Sequence, residues 1–167
     1  HYEIYNKLGA HPKTYEGKDG YYFAVWAPHA ASVSVVGDFN NWDPDACPMQ
    51  VLETSGIYER FIPGIKPGEL YKFAITTGKV IFKADPFAQY AESRPGTASI
   101  TAFHDFFRWS DASWIQKRES TNPREAAMSI YEVHLGSWKK KNRPEKDGYY
   151  TYKEAAAELA AYVKDMG

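Results

Sequence analysis

Five short segments rich in β-branched and aromatic residues constrain the fold of this chain more than any other feature of its sequence. They lie at residues 21–26, 32–36, 57–62, 70–75 and 79–82, with clusters of Gly, Pro, Asn or Asp between them. Short strands at this spacing are typical of an antiparallel β-sandwich of about a hundred residues. Val33 and Val35 alternate with Ser32 and Ser34, as expected of a strand with one face toward a core. The pattern predicts a mainly β fold, preceded by a short helix over residues 3–8.

Aromatic residues are abundant, with 13 Tyr and 5 Trp in a chain that is 16% aromatic. Their amphipathic faces suit both a β core and contacts with carbohydrate. Trp26, Tyr58 and Phe73 stand at core-facing spacing, and we expect them to pack in the core. Asp85 precedes Pro86 and is expected to form a turn.

The segment 35–42 reads V-V-G-D-F-N-N-W and combines a strand with a turn. Gly37 permits a bend, and the Asp and Asn residues after it favour turns because they bond their own backbone. We therefore expect Trp42 on a loop tip, where its flat indole suits the apolar face of a sugar ring. An indole that caps the edge of the core explains the same residue equally well.

The last forty residues have a different pattern. Residues 128–135 form an apolar run, and Thr151 with Glu154 forms a capping box that starts an amphipathic helix, with Gly167 at its C-cap. A strand, a loop and an amphipathic helix make one unit of a β/α barrel or of another parallel α/β fold. Between this unit and the sandwich, residues 107–127 show no sustained period. The sequence thus predicts a sandwich domain over 1–106, a connecting segment over 107–127 and a strand-helix unit over 128–167.

Charge and cysteine content exclude several classes of protein. The formal net charge is −1, which gives no field to attract nucleic acid or anionic lipid. No apolar run approaches the roughly 20 residues that span a bilayer. The single cysteine, Cys47, excludes an internal disulfide and fits a cytoplasmic location.

We expect no cofactor and no metal site. Because the chain begins with His1, we also expect both ends to be cut from a longer protein.

Several motifs together carry a resemblance to a known family. In order they are L-G-A-H-P at 8–12, Y-F-A-V-W-A-P at 22–28, V-S-V-V-G-D-F-N-N-W-D at 33–43, S-G-I-Y-E at 55–59, L-Y-K-F at 70–73, K-A-D-P at 83–86 and S-I-Y-E-V-H-L-G-S-W at 129–138. Their order and spacing resemble those of bacterial glycogen branching enzymes, which are 1,4-α-glucan branching enzymes. The resemblance covers essentially the whole chain.

This resemblance implies an immunoglobulin-like sandwich that is a carbohydrate-binding module, similar to family 48, followed by the start of an α-amylase-type (β/α)8 barrel. Such enzymes use a retaining mechanism with two carboxylates, to which the family adds a third, stabilising aspartate. In the family all three lie on later barrel strands, so this chain holds no catalytic residue and is expected to be inactive alone. Glu132 and His134 on the first barrel strand are expected to be structural.

The sandwich also resembles the glycogen-binding region of the AMP-activated kinase β subunit. By that resemblance Trp42 and Lys72 bind carbohydrate, and the partners are α-glucans such as glycogen and malto-oligosaccharides, together with the rest of the barrel. The kinase module has a second tryptophan where this chain has Lys79, Val80 and Ile81, so a single platform predicts weak binding. Two alternatives stay open: a non-catalytic regulatory glycogen-binding module, and a debranching or trehalose-forming relative.

Overall fold

The structure is a computed structural model that describes residues 2–102, 108–141 and 148–167. It contains two compact units, His1–Arg108 and Trp109–Gly167. The first unit is a β-sandwich and the second is helical. In the described part of the chain, every helix is too short or too polar to cross a membrane.

Two antiparallel sheets form the first unit, which confirms the predicted mainly β fold. The strands are β1 (Gly9–Tyr15), β2 (Lys18–Trp26), β3 (Ser32–Gly37), β4 (Gln50–Val51), β5 (Ile57–Pro63), β6 (Leu70–Thr76), β7 (Val80–Lys83), β8 (Tyr90–Ala91) and β9 (Ser99–Ile100). The first sheet has the order β1-β2-β5-β4, and the second has the order β3-β6-β9-β8 with β7 also paired to β6. Single-turn 3-10 helices occupy Ile4–Asn6 and Asp38–Asn40.

Strand β1 lies outside the five predicted strands. It contains Pro12, which cannot donate to a ladder and is tolerated because β1 is the edge strand of its sheet. A two-residue turn joins β1 to β2, and both turn residues, Glu16 and Gly17, have positive φ angles of 49° and 75°. Such a turn matches the twist of a hairpin, which fixes the register of the pair.

The core lies between the two sheets. Phe23, Tyr71 and Phe73 are fully buried, and the rings of Phe23 and Tyr71 meet edge to face with centroids 5.1 Å apart. Tyr58 is also buried, so the prediction for Tyr58 and Phe73 is confirmed.

The prediction for Trp26 is wrong. Its side chain is 61% exposed, and its indole N–H donates to the carbonyl of Ser55 at 3.2 Å. Alternation along β2 explains the difference, because Phe23 and Val25 face the core and the next residue must face outward.

A buried polar network joins β6 to the segment after β7. The Tyr71 hydroxyl donates to Asp85 Oδ2 at 2.6 Å, and the Asp85 backbone N–H donates to Ser99 Oγ at 2.9 Å. The other carboxylate oxygen accepts the Phe87 N–H at 2.8 Å, which is the predicted turn. Burial raises the pKa of Asp85 despite these bonds.

The second unit contains the helices α1 (Ala112–Ser120), α2 (Leu135–Trp138) and α3 (Tyr152–Met166). Helix α3 confirms the predicted capping box, since Thr151 N–H donates to Glu154 Oε2 at 2.9 Å and Glu154 N–H donates to Thr151 Oγ1 at 3.3 Å. The ring of Tyr162 contacts those of Tyr131 and Trp138, at 5.3 and 5.9 Å between centroids.

Helix α1 lies within the predicted connecting segment. Its Gln116, Lys117 and Arg118 are good helix formers, and the two basic residues suit a helix C-terminus. One prediction for this unit is corrected. Residues 128–134 form no strand in the structure. A parallel strand needs a hydrogen-bonded neighbour, and the described residues supply none for this segment. The boundaries at 106 and 127 stay predictions.

Candidate functional site

The loop that follows β3, here called the Trp42 loop (residues 38–46), is held in shape by Asn40. Asn40 Oδ1 accepts the Gly37 N–H at 2.9 Å, and Asn40 Nδ2 donates to the Val35 carbonyl at 3.0 Å. The Trp42 N–H then donates to the Gly37 carbonyl at 2.9 Å and closes the turn. One side chain thus ties the loop to the last residues of β3.

Trp42 itself has an unusual backbone conformation. Asn41 and Trp42 have φ angles of 54° and 60°, in the left-handed region. Asn adopts this conformation often. For a bulky residue the left-handed conformation costs on the order of 1 to 3 kcal/mol and persists only where the surrounding structure imposes it. The indole N–H donates to Asp38 Oδ1 at 2.8 Å, so the ring orientation is also fixed. Trp42 is half-buried and is not part of the core cluster.

The far end of the Trp42 loop returns along the same strand. The Val35 N–H donates to the Cys47 carbonyl at 3.0 Å, and the Met49 N–H donates to the Val33 carbonyl at 2.8 Å. Cys47 packs against the core and Met49 is part of it. Both ends of the loop are therefore attached to β3.

Lys72 lies on the outer face of the second sheet. Its neighbours Tyr71 and Phe73 point into the core, so alternation along β6 directs Lys72 to the opposite face. The side chain is half-buried, and its Nζ donates to Thr97 Oγ1 at 2.7 Å. This bond leaves two of the three ammonium donors without a protein acceptor among the described residues.

Strand pairing relates the two predicted site residues. Val36 pairs with Lys72, and Gly37, which precedes the Trp42 loop, pairs with Tyr71. The structure thus places Lys72 beside the base of the Trp42 loop, on the adjacent strand.

Phe82 is a candidate site residue that the sequence did not reveal. It pairs with Ala74, which shares the outer face with Lys72, so Phe82 and Lys72 are diagonal neighbours across β6 and β7. Phe82 is 45% exposed. The predicted strand at residues 79–82 contained this residue, but only its partner on β6 shows which face it occupies.

The polar pair Glu132 and His134 lies just before α2 in the second unit. Both side chains are exposed, and His134 Nδ1 lies 3.1 Å from the Oγ of Ser137 within α2. Within the described ranges, no three His, Cys, Asp or Glu side chains are placed to hold a metal ion. The chemistry that Trp42, Lys72 and Phe82 can perform is stacking and hydrogen bonding.

Comparison with known proteins identifies the sandwich. Residues 7–88 match the model of carbohydrate-binding module 48, described as the isoamylase N-terminal domain. The sandwich is therefore similar to that family over these residues. The matched region of the module contains Trp42, Lys72 and Phe82.

The similarity to curated proteins extends beyond the module. The 1,4-alpha-glucan branching enzyme GlgB of Butyrivibrio fibrisolvens is 49% identical over 99% of this chain and 26% of its own length. The enzyme of the same name from Cellvibrio japonicus is 48% identical over 100% of this chain and 23% of its own length. The chain therefore spans about a quarter of the length of these relatives. Among solved structures, a pullulanase from Bacillus acidopullulyticus covers 59% of this chain and 12% of its own, with 24% identity and a TM-score of 0.48.

Proposed function

We propose that this chain is part of a 1,4-α-glucan branching enzyme, in which it binds α-glucan and packs against the catalytic barrel. The similarity to branching enzymes over 99 to 100% of the chain carries this proposal. The similarity includes residues 109–167, which lie beyond the module. A free-standing regulatory glycogen-binding module would not need this segment of a branching enzyme. The same observation disfavours the regulatory alternative.

In this proposal the Trp42 loop and Lys72 form the glucan site of the module. The indole of Trp42 stacks on the apolar face of a glucose ring, and the two free donors of Lys72 bind its hydroxyls. Phe82 offers a second apolar surface on the same face as Lys72. Each aromatic contact stabilises the complex by about 1 kcal/mol, so the affinity of the site is weak, in the millimolar range.

The proposed parent enzyme transfers a glucan segment with retention of configuration at the anomeric carbon. One carboxylate attacks the anomeric carbon, a carboxylic acid protonates the leaving oxygen, and a glucan 6-hydroxyl then replaces water as acceptor. These carboxylates belong to parts of the parent outside this chain. We place the parent in the cytoplasm, where the single Cys47 stays reduced.

The second unit is the proposed contact with the rest of the barrel. Helix α3 buries Ala155 but exposes much of Tyr162, Val163 and Met166. These three residues repeat at helical spacing on one face, which fits packing against neighbouring barrel helices.

Titration with maltoheptaose followed by NMR tests the glucan site. We expect Trp42→Ala to abolish the shift changes around the Trp42 loop and Lys72. Trp114→Ala is the matched control, because Trp114 is a largely exposed tryptophan in the other unit. Unchanged binding by Trp42→Ala, or equal loss in both variants, would show that Trp42 does not form the site.

A further inference from the structure

The outer face of the first sheet carries a cleft that the proposed glucan site does not use. Its volume is about 430 Å³, and residues from all four strands line it: Lys13, Tyr15, Tyr22, Gln50, Glu59 and Phe61. Pockets that bind small ligands have volumes of roughly 300 to 1,000 Å³. The sandwich core separates this face from the one that carries Lys72.

Aromatic rings form much of the lining. Tyr22 and Phe61 pair across β2 and β5, and the rings of Tyr15 and Phe61 lie 5.6 Å apart between centroids with 56° between their planes. Tyr15 is 52% exposed, so one ring is open to solvent. Tilted rings leave faces on which a saccharide can stack.

Hydrogen-bonding groups stand beside these rings. The Tyr22 hydroxyl donates to Glu59 Oε2, and burial together with this carboxylate raises the pKa of Tyr22, which keeps the hydroxyl protonated. Glu59 pairs with Gln50 across β5 and β4. Among hydrogen bonds between described residues, Glu59 Oε1 and the Gln50 side-chain amide have no partner. The cleft thus presents a free acceptor and a free amide next to aromatic faces.

The cleft carries charges of both signs, since Lys13, Glu59 and Arg60 all line it. Lys13 Nζ lies over the Tyr22 ring at 5.0 Å from its centroid, and Arg60 Nη1 donates to the Pro48 carbonyl. Arg60 Nε is buried without a hydrogen-bond partner among the described residues. Hydroxyl groups both donate and accept hydrogen bonds, so a ligand rich in hydroxyls can use the donors and the acceptor of this lining.

We propose that this cleft is a second carbohydrate site, which binds a short α-1,4-glucan by stacking on Tyr15 and Phe61 and by hydrogen bonds from sugar hydroxyls to Glu59 and Gln50. The choice of α-glucan over other sugars rests on the proposed function. The cleft and its hydrogen-bonding and aromatic groups are observed independently of that function.

The test is a titration of the 167-residue chain with maltoheptaose, followed by NMR shifts of backbone amides around Tyr22 and Glu59. We expect Tyr15→Ala to weaken binding at the cleft about five- to tenfold while shifts around the Trp42 loop stay unchanged. Trp42→Ala gives the opposite pattern. Tyr5→Ala is the matched control, since Tyr5 is exposed to a similar degree and lies outside the cleft.

A second variant, Glu59→Gln, keeps the size of the side chain and removes its charge, so it separates lost binding from lost folding. We expect it to weaken binding at the cleft at an unchanged melting temperature. Shifts that remain confined to the Trp42 loop at saturation would overturn the second site and leave the proposed function standing. Shifts confined to the cleft would overturn the site at Trp42 alone, and the absence of shifts at both would overturn both. Equal weakening by Tyr5→Ala and Tyr15→Ala would also refute the assignment.

Discussion

Asn40→Ala is the sharpest test of how the Trp42 loop is built. The change removes the acceptor for the Gly37 N–H at 2.9 Å and the donor to the Val35 carbonyl at 3.0 Å. A net hydrogen bond contributes about 0.5 to 1.5 kcal/mol, and Val35 is fully buried, so its carbonyl loses its partner where water cannot replace it. A third contact, from Asn40 Nδ2 to the Asp43 carbonyl at 3.5 Å, is too long to add much. We expect the free energy of unfolding to fall by about 2 to 3 kcal/mol.

Asn41→Gly is the natural control for this change. Asn41 has a φ of 54°, and its side chain makes no hydrogen bond to another described residue. Glycine adopts this conformation without strain but is more flexible in the unfolded chain. Because these two effects nearly cancel, we expect the free energy of unfolding to change by less than about 0.5 kcal/mol. Urea unfolding gives both free energies, and the indole N–H resonance of Trp42 reports the bond to Asp38.

The expected pattern is a large loss of stability with a shifted indole resonance in Asn40→Ala, and neither effect in Asn41→Gly. A loss below about 0.5 kcal/mol in Asn40→Ala, with the indole resonance unmoved, would contradict the assignment of Asn40 as the residue that holds the loop.

Two pH-dependent predictions follow from the carboxylates. Burial raises the pKa of Asp85 above 3.8, so its neutral form is favoured in the folded state and stability falls as the pH rises from 3.8 through the folded-state pKa. Asp85→Asn removes this slope, and urea unfolding between about pH 4 and pH 7 measures it; parallel curves for the two proteins would contradict the prediction. Lys141, then the N–H and hydroxyl of Thr151, lower the pKa of Glu154 from 4.5 to about 2, so helix α3 keeps this support above pH 4.5 and loses it as the pH falls through about 2. Circular dichroism of Glu154→Gln should show a flatter acid transition, and an identical transition would count against the role of Glu154.

The local sequence pattern predicted the sandwich because alternation of apolar and polar residues along a strand shows which side chains face the core. The alternation of Val33 and Val35 with serines placed β3 correctly, and Tyr58 and Phe73 followed the same rule. Trp26 was assigned to the core because of its size, although alternation after Val25 places it outside. The alternation rule alone would have placed Trp26 correctly, and the size of its side chain led to the wrong prediction.

Long-range pairing accounts for what the sequence could not show. Phe82 becomes a candidate site residue only because β7 pairs with β6. The cleft exists only because β1, β2, β5 and β4 bring side chains that are distant in sequence, from Lys13 on β1 to Phe61 on β5, onto one face. The turn residues around Asn40 predicted a loop at Trp42, but the left-handed conformation of a tryptophan has no local signal. Residues 128–134 show the reverse case: their composition favours a strand, but no described residue pairs with them.

The left-handed pair Asn41 and Trp42 gives the proposed glucan site a kinetic property. Because the Trp42 loop is ordered in the structure without a ligand, a sugar bound as proposed would need little further ordering of the loop, and association would be limited mainly by encounter. With a dissociation constant on the order of 1 mM and an association rate constant on the order of 10⁷ M⁻¹ s⁻¹, a bound glucose segment would leave within about 0.1 ms. The proposed site would therefore hold a long glucan only briefly at any one point along the polymer.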